Sequence, residues 1–152
     1  MLRIEHSLAN TGEKPIDTDQ YCHDFFTFDG AAPGPDYVVT TAFPLEEDVS
    51  PKAPMVVEGR TLRFNAAVKG GVYGRFRGVP DRSPARGTPR GEQFRIRNKA
   101  NGLEVAIAGD FPVATFAYYA DALAASPEAY CAIKVKPGET FRWTRTYTFK
   151  AP

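Results

Sequence analysis

The sequence predicts an all-β protein, an antiparallel β-sandwich, on three observations. Short segments of alternating apolar and polar residues recur along nearly the whole chain, Pro-, Gly- and Asn-bearing turns separate them, and helix formers cluster in one short stretch only. At 152 residues the chain is long enough to bury a core as one domain, residues 1–152, without disulfide or metal staples.

The elements follow in order. Leu2, Ile4, His6 and Leu8 alternate with Arg3, Glu5, Ser7 and Ala9, the period of a half-buried strand, with His6 as a structural member of its apolar face. Turn chemistry at residues 10–13, with Gly12 free to take positive φ, leads through Lys14-Pro15 into an aromatic strand over residues 18–29, so the first two strands are expected to form a hairpin. Gly30 and Pro33-Gly34-Pro35 stop that strand. Residues 37–43 are again β-branched and aromatic and end at Pro44, whereas the acidic, Pro-bearing residues 45–54 read as a surface loop. Residues 55–60, 61–64 and 72–77 read as short strands, and the glycines at 70, 71, 74 and 78 point to bulges or close backbone approach.

Composition shifts over residues 79–93, where Pro80, Pro84 and Pro89 alternate with Arg82, Arg86 and Arg90, as in a long solvated loop whose arginines are candidates for a phosphate or an acidic sugar. Residues 94–97 and 103–108 form a hairpin through Asn101-Gly102, and residues 112–119 add a strand. Residues 120–126 hold the helix formers, enough for one or two turns before Pro127. Residues 130–135 and 140–150 then read as the clearest hairpin, because Lys136-Pro137-Gly138-Glu139 places Pro second and Gly third, as a type II turn requires. Phe141, Trp143, Tyr147 and Phe149 share a face that protein must cover, and Arg142, Thr144, Thr146, Thr148 and Lys150 share the other.

Several function classes are disfavoured. A formal net charge of +1 supplies no field to recruit nucleic acid or an anionic membrane, so neither is an expected partner. Cys22 and Cys131 are too few for a disulfide framework and read as reduced core residues. There is no Gly-rich phosphate loop, no Gly-x-Ser-x-Gly elbow and no His cluster, so neither a cofactor nor a metal is expected. Residues 1–6 show no signal peptide and no apolar run reaches membrane-spanning length, which makes the cytoplasm the expected location.

One stretch carries candidate chemistry. In an extended chain Tyr21, His23 and Phe25 share one face and Cys22, Asp24 and Phe26 the other. Glu128 and Tyr130 likewise share a face, with Cys131 opposite. If the two strands are neighbours in one sheet, the cysteines line the interior while His23 and Glu128 face a common outer cleft. The alternative is a half-buried strand histidine and an exposed, inert carboxylate. A His/Glu pair in an aromatic groove suits general acid–base work. Tyr21, Phe25, Tyr118, Tyr119 and Tyr130 are the candidates to stack on an apolar ring face, with core packing as their other reading.

A family resemblance joins these pieces. The first strand with its Asn-Thr-Gly-x-Lys-Pro-Ile turn, the Thr-x-x-Tyr-x-His-x-Phe-Phe core, Gly34-Pro35-Asp36-Tyr37, Pro127-Glu128, and the run Val135-Lys136-Pro137-Gly138-Glu139-Thr140 with Trp143, Tyr147 and Phe149 resemble, in order, the second half of aldose 1-epimerase (galactose mutarotase)-like proteins. The resemblance implies a galactose mutarotase-like supersandwich, in full or truncated form, that binds a small sugar or sugar phosphate and interconverts its anomers. It assigns His23 as acid and Glu128 as base, and beside them Tyr21, Phe25, Asp36, Tyr118 and Tyr130 are the candidate substrate-binding residues. A non-catalytic carbohydrate-binding or structural module is the alternative. Family chains are about twice as long, and a further histidine and an arginine from their first half have no counterpart here. Asp24 stands where asparagine is common. An exposed sheet edge and an uncovered aromatic face predict a homodimer.

Overall fold

The computed structural model describes residues 1–77 and 91–152. Twelve strands are formed among them: β1 (Leu2–Ala9), β2 (Ile16–Gln20), β3 (Tyr37–Thr41), β4 (Glu46–Val49), β5 (Met55–Glu58), β6 (Thr61–Phe64), β7 (Val72–Arg77), β8 (Gly91–Asn98), β9 (Glu104–Gly109), β10 (Val113–Ala120), β11 (Ala125–Val135) and β12 (Thr140–Lys150). None of the described residues is helical. The strands make a seven-stranded sheet in the order β1-β12-β9-β8-β3-β6-β5 and a five-stranded sheet in the order β2-β11-β10-β7-β4. Every pairing is antiparallel.

The two sheets bury their apolar faces against each other, as the alternating patterns require. Phe94 and Phe64 of the seven-stranded sheet meet Phe116 and Tyr118 of the five-stranded one, with ring centroids 5.2 Å and 5.6 Å apart. Val39, Leu62, Ile96 and Ile107 fill the layer between. Gly74 shows the close approach that its lack of a side chain suggested: a Cβ there would lie 3.1 Å from Phe76 and from Pro51.

Two expected hairpins are instead crossings between sheets. β1 pairs with β12 and β2 pairs with β11, in different sheets, and β11 and β12 likewise belong to different sheets. The type II turn itself is present, with Gly138 at φ 79° and Glu139 N–H bonded to the Lys136 carbonyl. Asn10 fastens both crossings at one end of the sandwich. Its backbone exchanges hydrogen bonds with Gly138 and Glu139, while its side-chain Nδ2 donates to the carbonyls of Lys14 (2.8 Å) and Val135 (3.0 Å). The reason for the misreading is physical. Consecutive strands with one apolar face each bury it equally well side by side or facing across a core, and local turn chemistry does not choose between these.

Other boundaries also differ. The strand expected over residues 18–29 pairs regularly only to Gln20. Residues 45–54 contain β4, paired to β7 despite its acidic composition. Residues 120–126 make a tight turn into β11, not a helical one: the Asp121 side chain accepts hydrogen bonds from the Leu123 and Ala124 N–H groups. Of the loop expected over residues 79–93, positions 91–93 belong to β8 and the remainder lies outside the described residues. Phe149, expected under cover, is 56% exposed.

Candidate functional site

β11 is extended through Glu128, and its even-numbered side chains point outward from the five-stranded sheet while Ala125, Ala129, Cys131 and Ile133 enter the core. Beside it, the chain leaves the ladder after Gln20, opposite Cys131, and rejoins it at Phe26, which exchanges hydrogen bonds with Ala125 (2.8 and 3.0 Å). Gln20 to Phe26 and Ala125 to Cys131 are both six-residue steps, so the register is unchanged across the gap and His23 stands midway, opposite Glu128. Two features keep the gap unpaired: Pro127 has no N–H to donate, and the Ala129 carbonyl is taken by Arg145 Nη2 at 2.9 Å.

Alternation nevertheless persists through residues 21–25. His23 Nε2 lies 3.5 Å from Glu128 Oε1, with the imidazole side chain 57% exposed and the carboxylate only 3%. Aromatic rings flank the pair in a continuous row. Tyr130 stacks on Tyr21 at 4.2 Å, Tyr21 meets the His23 ring edge-on at 4.9 Å, His23 lies 5.6 Å from Phe25, and Phe25 meets Tyr119 edge-on at 6.3 Å. Phe25 is 56% exposed, an apolar ring offered to solvent.

The electrostatics follow from burial. Loss of water around Glu128 pushes its carboxyl above the ordinary range, and the proximity of Asp24 adds to this; the Ser126 hydroxyl, which donates to Glu128 Oε1 at 3.0 Å, and the nearby His23 pull the other way. Asp24, turned inward, is raised to about 6, again chiefly by burial, against the opposing effects of its Tyr147 hydrogen bond and of Arg145 and His23. Burial also raises the Tyr73 and Tyr130 hydroxyls, with Glu128 adding to both; Tyr73 of β7 stands opposite Tyr119 of β10, which in turn stands opposite Ser126.

The structure thus brings together His23, Glu128, Tyr21, Phe25 and Tyr130. Two expected substrate-binding residues are elsewhere. Tyr118 is fully buried and packs on Phe64 in the core, because β10 turns Phe116 and Tyr118 inward and Tyr119 outward. Of two adjacent tyrosines, the sequence alone did not say which faced out. Asp36 is exposed immediately before β3, a strand of the opposite sheet, and its carbonyl accepts the Lys99 N–H. Cys131 lies in the core and Cys22 is half-buried, both free thiols.

Sequence reasoning missed Tyr73, Ser126 and Arg145. Arg145 had a readable signal, since it falls at an inward position between Trp143 and Tyr147, but arginines are rarely fully buried and it was left out of that face.

Two packed antiparallel sheets in this arrangement make the fold similar to that of aldose 1-epimerases. Among solved structures, a putative aldose 1-epimerase from Escherichia coli superposes with a TM-score of 0.64 at 12% identity, over 99% of this chain and 56% of that one. The Slr1438 protein of Synechocystis sp. PCC 6803 does so with a TM-score of 0.61 at 13% identity, over 99% of this chain and 50% of that one. This chain therefore spans about half the length of both. At these identities the likeness is one of fold. No protein-family model matches the chain, and no curated protein does.

Proposed function

We propose that this protein binds a small sugar or sugar phosphate against the aromatic row and interconverts its anomers, with His23 as acid and Glu128 as base. The observation that carries the reading is the 3.5 Å approach of His23 Nε2 to Glu128 Oε1 within a row of aromatic rings that includes the exposed Phe25. Glu128 takes the proton of the anomeric hydroxyl as the bond between the anomeric carbon and the ring oxygen breaks, and the protonated imidazole gives its proton to the ring oxygen. The open-chain aldehyde rotates about its first carbon–carbon bond, and closure on the other face returns both protons. Burial strengthens Glu128 as a base, and an imidazole is the side chain suited to exchange a proton near neutral pH.

A second reading, sugar binding without turnover, is favoured by the covering of Glu128 and by the chain spanning half the length of its structural neighbours. An NMR assay of anomer exchange across a panel of aldoses and aldose phosphates separates the two. Acceleration supports the acid–base reading, and binding without acceleration supports the second.

A further inference from the structure

The inner side of the gap between residues 20 and 26 is gripped by a single strand of the opposite sheet. Trp143, Arg145 and Tyr147 are successive inward positions of β12. Trp143 Nε1 donates to Gln20 Oε1 (3.1 Å), and Tyr147 donates its hydroxyl to Asp24 Oδ1 (2.9 Å). Arg145, fully buried with its guanidinium 4.7 Å over the Phe111 ring, donates from Nη2 to Gln20 Oε1 (3.1 Å), the Gln20 carbonyl (3.4 Å) and the Ala129 carbonyl (2.9 Å).

Each anchor sits beside the acid–base pair. Gln20 is where the segment carrying His23 leaves the ladder, Asp24 is the next residue after His23, and Ala129 is the next after Glu128. Between Gln20 and Phe26 no ladder bond holds the segment to β11, so the Tyr147–Asp24 bond is its anchor at mid-span. Arg145 adds little as a source of stability, because a buried guanidinium is costly to desolvate and its Nε and Nη1 make no hydrogen bond, nor does Asp24 Oδ2. What it does supply is a fixed link between the two strands where their own ladder is interrupted.

We propose that β12 is the positioning device for the pair, with Asp24 and Arg145 as positioning residues that hold His23 and Glu128 in contact on the outer face of the opposite sheet. The catalytic consequence rests on the acid–base reading above, whereas the geometric claim stands without it.

Nuclear Overhauser contacts between the His23 ring protons and the Glu128 γ-protons read the geometry directly, with anomer exchange measured on the same samples. The contacts are expected in the wild type, in Asp24→Asn, whose amide oxygen still accepts the Tyr147 hydroxyl, and in Thr148→Ala, an exposed control on the same strand. They are expected to vanish in Asp24→Ala and in the milder Tyr147→Phe, with cooperative unfolding retained and catalysis down about 100-fold, the scale of an ångström-sized misplacement. Persistence of the contacts in Asp24→Ala and Tyr147→Phe overturns the inference, as does their absence in the wild type or in Asp24→Asn. Contacts that respond as expected in a protein without anomer-exchange activity reject the catalytic reading and leave the positioning inference standing.

Discussion

Glu128 and His23 occupy opposite places in a register that is continuous on both sides of an unpaired gap, and their side chains close to 3.5 Å with the carboxylate beneath and the imidazole open to solvent. A half-paired strand achieves what neither a full ladder nor a free loop would. It keeps the alternation that sends Tyr21, His23 and Phe25 outward while leaving the backbone of residues 21–25 to be fixed by the opposite sheet.

Asp24 predicts a pH dependence of stability. Its carboxyl rises from 3.8 to about 6 in the folded protein, so the native state binds this proton more tightly than the unfolded chain. The stability it contributes is full below about pH 4 and is lost as pH rises through about 6, a difference of roughly 3 kcal/mol. Urea unfolding at pH 4 and pH 7 should show Asp24→Asn gaining on the wild type at the higher pH. An identical difference between the two proteins at both pH values contradicts the assignment.

The two tyrosines of β10 should behave oppositely on substitution. Tyr118 buries a hydroxyl that has no hydrogen-bond partner, so Tyr118→Phe should leave sugar affinity unchanged and alter stability little, with a gain of up to about 1 kcal/mol. Tyr119→Ala, on the outer face against Phe25, should weaken sugar binding about five- to tenfold, as should Tyr130→Ala. Calorimetric titration with the preferred sugar checks both.

Gly109 is a packing requirement. A Cβ there would fall 2.6 Å from Gln93 Nε2 and 2.8 Å from Phe111 Cε1, and Gln93 is held by its bond to the Phe111 carbonyl. Gly109→Ala should cost about 1–3 kcal/mol in thermal or chemical unfolding.

Much of this was legible in the sequence, for definite reasons. Period-2 alternation revealed most strands and correctly placed Tyr21, His23, Phe25, Glu128 and Tyr130 on outward positions, because side-chain parity is local. What was hidden depended on partners far along the chain. The hairpins proposed for β1–β2 and β11–β12 failed since pairing and facing bury the same residues. β4 was hidden by charge: Glu46 and Glu47 sit on an exposed edge strand whose backbone, not its side chains, supplies the pairing. Tyr118 and Tyr119 were both candidates for the outer face, and it is packing across the core that turns Tyr118 in against Phe64 and leaves Tyr119 out against Phe25. Parity placed Arg145 inward between Trp143 and Tyr147, but what makes a buried guanidinium tolerable there, the carbonyls of Gln20 and Ala129, lies far along the chain.

The central claim, that His23 and Glu128 form a working acid–base pair, is tested most directly by the rate of exchange between α and β anomeric resonances in the presence of wild type and Glu128→Gln. The amide keeps the size of the carboxylate and still accepts the Ser126 hydroxyl, so fold and sugar binding should survive. The wild type should accelerate exchange, and the variant should lose about 10²- to 10⁴-fold of that acceleration. Equal rates for the two proteins, or no acceleration by the wild type with any aldose or aldose phosphate tested, would contradict the account.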